Sequence, residues 1–254
     1  MSDADLAPRL SADQLLDLQV ALEGSDSVEL KLTVPDGEQR SAVEALEMDP
    51  LDAEIRQVYF FDTPDLTLNR AGVILRARRT KTGDDSVVKL RPVVPGQLPT
   101  EFRGLKGFKI EVDAMPGAFV CSAGLRRKLA AGRVKHALQD DAVSALFGKQ
   151  QRAFYAHCLP TGPDLEALTP LGPITLLKLK FSPEGYSGGM TAELWFYPDG
   201  SRILELSTKA ATTKALEVAA RARHFLAERG IDLSGEQQTK TKTALEFFAG
   251  HTEL

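Results

Sequence analysis

The chain has 254 residues, 43% hydrophobic and 26% charged, enough for one large domain or two small ones with a sizeable core. Its net charge of -4 speaks against a nucleic-acid binder working through a broad basic surface, and no apolar run approaches the roughly 20 residues that cross a bilayer. Cys121 and Cys158 make neither a disulfide framework nor a metal-ligand spacing, and the opening MSDADLAPRL has no basic stretch leading into an apolar one, so a reducing cytoplasm is expected, with no membrane or nucleic-acid partner.

Residues 4–22 carry a weak helical pattern (Leu15, Leu16, Leu18, Val20, Leu22) ending at Glu23-Gly24, and residues 1–26 read as a helical appendage. From Ser27 the pattern changes to short alternating runs. Residues 27–34 read as a strand stopped by Pro35-Asp36-Gly37, and 41–48 as a short helix in which Ser41 and Glu44 have capping-box spacing. Strands are expected over 57–62, 72–79, 86–92 and 108–113. A helical stretch follows at 121–147, broken near Gly132, in which Arg126-Arg127-Lys128 reads as a solvated face. Residues 152–158 suggest a strand, and a Pro/Gly-rich connector leads to strands at 174–181, 190–197 and 201–209. Gly185 to Gly189 and Pro198-Asp199-Gly200 supply hairpin turns. Residues 213–229 form an amphipathic helix stopped by Gly230, and 232–246 close the chain. No repeat of fixed period appears, so one α+β domain of about eight strands is expected.

Side chains two apart on a strand share a face. On these strands the shared positions are Glu29 and Lys31; Arg76 and Arg78; Lys89 and Arg91; Lys109, Glu111 and Asp113; Lys178 and Lys180; Glu193; Glu205 and Lys209. The closing segment adds Lys240 and Lys242. A half-exposed sheet also alternates polar with apolar, but a solvated face mixes Ser, Thr, Glu, Lys and Gln, whereas Arg and Lys dominate here. Eleven basic positions stand against five acidic ones, a surplus of six in a chain whose total is -4. A cationic face inside an anionic protein calls for an anionic ligand. Gathered on one concave surface, such charges would be neutralised by a polyphosphate. Arg pairs such as Arg76 and Arg78 suit phosphate oxygens through their forked donors, lysines act as point charges, and the carboxylates Glu29, Glu111, Asp113, Glu193 and Glu205 suit a hard Mg2+ or Mn2+ ion.

Glu29-Leu30-Lys31, then Tyr59-Phe60-Phe61-Asp62-Thr63-Pro64-Asp65, Leu75-Arg76-Ala77-Arg78, Val88-Lys89-Leu90-Arg91-Pro92, Glu111-Val112-Asp113 and Thr239-Lys240-Thr241-Lys242 occur in that order. Together they resemble the CYTH domain, or triphosphate tunnel metalloenzyme family, over residues 27–248, with 121–147 as a helical insertion. The resemblance implies an eight-stranded antiparallel β-barrel, a tunnel with a charged lumen and helices packed outside. It further implies metal-dependent hydrolysis of an inorganic or nucleoside triphosphate with Mg2+ or Mn2+. Cyclic AMP formation from ATP and non-catalytic binding of inorganic polyphosphate are the alternatives, and a homodimer is left open. By the same resemblance Lys31, Arg76, Arg78, Lys89, Lys178 and Lys242 would meet phosphates, Lys89 would assist water activation, and Glu29, Glu111, Glu193 and Glu205 would be metal-side carboxylates; the alternating face adds Arg91, Lys180, Lys209 and Lys240 to the phosphate contacts and Asp113 to the metal side. The chain departs from the family pattern at Ser27, Trp195 and Ser207, where acidic residues are expected, which favours one metal site over two. His136, His157, His224 and His251 show no mutual spacing for a metal.

Overall fold

The computed structural model describes residues 10–237 and 239–249, so His251 and residues 4–9 of the first expected helix lie outside the described residues. Nine strands close on themselves: β1 (Ser27–Val34), β2 (Glu54–Asp62), β3 (Val73–Thr80), β4 (Gly83–Leu90), β5 (Phe108–Met115), β6 (Ala118–Leu129), β7 (Thr169–Phe181), β8 (Met190–Phe196) and β9 (Arg202–Ala210). The order around the barrel is β1-β5-β6-β4-β3-β2-β7-β8-β9, and β9 returns to β1. Every pairing is antiparallel except β1 with β5, where Ser27 faces Glu111 and Glu29 faces Asp113. The barrel is therefore mixed and nine-stranded, not antiparallel and eight-stranded. Helices α1 (Ala12–Glu23), α2 (Gln39–Ala45), α3 (Thr67–Arg70), α4 (Thr100–Arg103), α5 (Arg133–Gln139), α6 (Lys149–Cys158), α7 (Ala215–Glu228) and α8 (Lys240–Ala249) surround it. None is long and apolar enough to cross a membrane.

The extra strand is β6, placed where a helix was expected. Cys121, Ala123 and Leu125 are buried at every second position, and Ser122 and Gly124 between them face the cavity. From Ser122 onward its residues carry little intrinsic strand preference. Pairing with β4 on one side and β5 on the other supplies the conformation instead. Conversely, 152–158 is not a strand. Gln151, Phe154 and Tyr155 are buried at the spacing of one helix face, and Gln151 caps α6 by accepting from the Gly148 N–H at 3.0 Å. The capping box at Ser41 is also absent. α2 begins two residues earlier after a 3-10 turn, and the Ser41 hydroxyl donates to the Glu38 carbonyl at 2.9 Å. The hairpin at Pro198-Asp199-Gly200 forms as expected, with Gly200 at φ +84°.

The apolar core lies outside the barrel wall. Val28, Leu75, Ala77, Val88, Ile110, Val112, Ala123 and Leu125 pack against Phe102, Leu146, Phe147, Phe154 and Tyr155. Leu18, Ala21 and Leu22 of α1 join the same cluster. Leu32, Leu179, Ala192, Leu204 and Leu206 pack against Ala42 and Leu46 near α2 and Phe225 and Leu226 of α7. One end of the barrel differs. There Val58, Phe60, Ile74, Ile174, Leu176, Trp195 and Ile203 pack around Ala244 and Leu245, so α8 fills that end with an apolar plug.

Backbone crossings fix the other strand ends. Gly72 adopts φ +74°, and a Cβ there would stand 2.2 Å from the Arg91 carbonyl oxygen, whose own N–H donates to the Gly72 carbonyl at 2.9 Å. Gly107, at φ +92°, makes the same approach to the Arg126 carbonyl. Only glycine combines that φ with that proximity. Gly72→Ala is expected to destabilise the protein by about 1–3 kcal/mol in urea unfolding, because the collision is with backbone and cannot relax through a rotamer. An unchanged midpoint would show that the crossing is not held.

Candidate functional site

Inside the wall is a cavity of about 1660 Å³ to which all nine strands and α8 contribute. Sixteen Lys and Arg side chains line it against five carboxylates, Glu29, Glu111, Asp113, Glu193 and Glu205. Alternation explains the convergence. Arg76 and Arg78 on β3, Glu111 and Asp113 on β5 and Lys178 and Lys180 on β7 point inward from between residues of the outer core. Every residue expected at the site lines this cavity except Lys242. Residues two apart on a helix are turned by roughly 200°, so Lys240 points inward while Lys242 points out. The Lys240 side chain is 11% exposed, whereas that of Lys242 is 66% exposed and pairs with Glu246 one turn on. Lys242 is thereby removed from the site.

The carboxylates divide into two groups, each clasped by lysines. Glu193 accepts from Lys178 at 2.6 Å and also from Lys240, which reaches Glu205 at 2.8 Å. The Trp195 indole N–H donates to Glu193 at 3.2 Å, and the Lys240 ammonium stands over its ring, so Trp195 both lines the cavity and packs. In the second group, centred on β1 and β5, Asp113 pairs with Lys31 at 2.9 Å and Lys89 at 3.4 Å, Glu29 with Lys31 at 3.4 Å, and Glu111 with Lys209 at 2.7 Å. Arg78 forks onto Asp85 at 2.9 and 3.0 Å, and Arg126 reaches the same carboxylate at 2.8 Å. Among the described residues Arg76 and Arg91 have no ion-pair partner, although both face the cavity.

Burial sets the proton affinities, and neighbours decide their sign. Arg76 falls to about 10, through burial first and then the adjacent Arg78. Lys89 is lowered by burial and by Lys31 and Arg76, which outweigh Asp113. Burial lowers Lys31 too, but Asp113, Glu29 and Glu205 reverse it and raise the ammonium above its ordinary value. Burial would raise Asp113 and Glu193, yet Lys31 and Lys89 hold Asp113 at about 2, and Lys240 and Lys178 hold Glu193 well below the carboxylate range.

Several site residues escaped sequence reading. Arg56 lines the cavity because β2 begins at Glu54 rather than Gln57, and it pairs with Glu54. Arg126, Arg127 and Lys128 lie on β6 at the rim rather than on a solvated helix, and Lys106 and Lys149 stand beside them in the lining. Asp85, 3% exposed, sits within β4 where a loop was expected. The two serines at the expected acidic positions act as donors: Ser27 to Glu111 at 3.4 Å and Ser207 to Glu29 at 3.3 Å.

For a divalent ion the donor chemistry is right but incomplete. No three His, Cys, Asp or Glu side chains gather into a metal cage among the described residues. Lys209 pairs with Glu111 and stands opposite Glu29 in the strand register. These two carboxylates fit an ion completed by ligand oxygens and water, the usual manner for Mg2+, and not one enclosed by protein alone.

No protein-family profile and no curated protein sequence matches the chain. Solved structures do. The fold is similar to that of a candidate adenylate cyclase from Bacillus halodurans (TM-score 0.60, 16% identity, 86% of this chain and 97% of that one). It is also similar to a candidate adenylyl cyclase from Hippeastrum with a dominant triphosphatase activity (TM-score 0.62, 16% identity, 86% of this chain and 94% of that one). At 16% identity the likeness is one of fold.

The depressed Asp113 gives a pH signature. Its folded value of about 2 lies below the ordinary 3.8, so its stabilisation, about 2 kcal/mol, is present above pH ~4 and lost as pH falls toward 2. Asp113→Asn should be less stable at neutral pH and should lose stability less steeply between pH ~4 and ~2. Urea unfolding of both proteins across that range checks it, and parallel curves would refute it.

Proposed function

We propose that the barrel binds a triphosphate through its phosphate groups and hydrolyses the terminal phosphoryl bond. The supporting observation is the half-buried pair Arg76 and Arg91, which line the cavity with no ion-pair partner among the described residues. A guanidinium partly withdrawn from water with no carboxylate in direct contact is costly, and its forked donors match phosphate oxygens. Arg76, Arg78, Arg91, Lys31, Lys178, Lys209 and Lys240 orient the chain of phosphates and stabilise the charge that develops on it. Lys180 stands farther out, at the rim. Lys89, its proton affinity lowered by burial and by neighbouring cations, accepts the proton as water attacks the terminal phosphorus, while Asp113 keeps its amine directed into the cavity. A Mg2+ or Mn2+ ion bound at Glu29 and Glu111 would supply further charge neutralisation at the phosphate oxygens.

Hydrolysis is favoured over cyclisation by the lining, whose aromatic side chains are Phe181 and Trp195, the latter already covered by Lys240. The Hippeastrum protein of the same fold, with its dominant triphosphatase activity, leans the same way.

Phosphate release from inorganic triphosphate, ATP and thiamine triphosphate, each with Mg2+, Mn2+ or chelator, tests the proposal. Wild type should release phosphate with metal, and Arg76→Ala should lower kcat/KM on the order of 100-fold. The same variant should unfold at higher urea, by about 1 kcal/mol, since it removes a half-buried charge that has no ion-pair partner. Glu111→Gln should weaken the metal response most. No release from any of the three substrates would overturn hydrolysis, and cyclic AMP as the ATP product would replace it with a cyclase.

A further inference from the structure

Outside the barrel wall, a second cavity of about 280 Å³ lies between α1, α7 and the outward faces of β1 and β9. It falls at the seam between two of the apolar clusters: Leu18 and Leu30 belong to one, Leu206 and Leu226 to the other, and all four line the gap. The sequence of α7 accounts for the space. Three alanines, Ala215, Ala219 and Ala222, border it along the first two turns of that helix, where larger side chains would have filled it.

Four of the lining residues are polar, and three of these are engaged elsewhere. The Lys31 ammonium is paired with Asp113 and Glu29, the Ser207 hydroxyl donates to Glu29, and the Thr208 hydroxyl donates to the Gly189 carbonyl at 2.9 Å. An ordered water needs two to four polar partners, so this space offers water little. The fourth is Arg223, exposed on α7 and without an ion pair among the described residues. Leu216, two turns earlier on the same helix and 72% exposed, also borders the cavity, so the opening to solvent runs along this edge of α7. An apolar chamber with one unpaired cation at its mouth is complementary to an amphiphile, with a hydrocarbon chain inside and an anionic head at the surface.

We propose that this outer cavity binds one fatty carboxylate of medium chain length, its acyl chain against Leu18, Leu30, Leu206 and Leu226 and its carboxylate on Arg223. The volume, near the lower end of the range of about 300–1,000 Å³ for small-molecule sites, suits one chain and not the two of a membrane phospholipid. The site lies on the opposite side of the barrel wall from the charged interior and holds its ligand whether or not a phosphate binds there.

Titration calorimetry of the full chain with decanoate and with decanol, each kept below its aggregation concentration, tests the site. Wild type should bind a single decanoate per chain. Arg223→Glu should weaken decanoate on the order of ten-fold while decanol stays within about two-fold, and Arg223→Lys should keep decanoate within about three-fold of wild type. Ala219→Phe, which fills the chamber, should abolish binding of both. Should that variant fail to fold, the exchanges at the exposed Arg223 still decide the matter. Absence of saturable decanoate binding, equal weakening of both ligands by Arg223→Glu, or a decanoate affinity unchanged by it would each overturn the site. Two other occupants would overturn it as well. A second copy of the chain would show as concentration-dependent dimerisation that Leu216→Asp abolishes and decanoate leaves untouched. A membrane surface would show as sedimentation with anionic vesicles without uptake of free decanoate.

Discussion

A barrel with its polar side chains inside must find its apolar core elsewhere, and that constraint shapes the whole molecule. The outward faces of the strands are covered by α1, α2, α6 and α7 with their loops, and these contacts replace the packed interior of a small closed barrel. The wall can stay intact around a large charged space because each strand bonds to neighbours on both sides. Sequential alternation and barrel closure are one requirement seen at two scales: slipping a strand by one residue would put Arg76 or Lys178 into the outer core.

The interior is not uniformly charged. It grades from the apolar plug around α8, through ion pairs in which nearly every carboxylate is held by lysine, to the unanswered cations of the rim. The pairs set positions as well as charge. Lys240 is drawn to Glu193 and Glu205 from a helix outside the strand ladder, which ties the plug to the barrel wall. Pairing also leaves the folded state tolerant of its lysines, so the net cost of preorganisation concentrates on Arg76 and Arg91. Under the proposed function these two guanidiniums, without carboxylates in direct contact, would trade stability for readiness to receive an anion.

Much of this was legible in the sequence because charged residues at every second position between aliphatics have few uses. The inward set from β1, β3, β4, β5, β7, β8 and β9 follows from that pattern. What escaped did so for identifiable reasons. After Phe119, Val120 and Cys121, strand β6 is built from Ala, Ser, Gly, Leu, Arg and Lys, residues whose local preference is not for strand, and its partners β4 and β5 decide its state from a distance. Placing it as a helix hid Arg126 and Lys128 from the site. Lys242 failed for the opposite reason: two-residue spacing has its meaning only on a strand, and α8 is a helix. The parallel pairing of β1 with β5 joins segments about eighty residues apart and leaves no local trace.

The serines at 27 and 207 bear on what the site can be. A glutamate at either position would bring a second negative charge beside Glu111 or Glu29, and a divalent ion would be the natural neutraliser. Serine instead donates a hydrogen bond, and Lys209 supplies the positive charge to Glu111 within the protein. Charge balance on this side of the cavity is therefore already met before any ion arrives. An ion must compete with Lys209 for Glu111, and a polyanion that draws Lys209 onto its own oxygens would free that carboxylate. If the proposed anion and metal both bind, each would favour the other through this shared lysine.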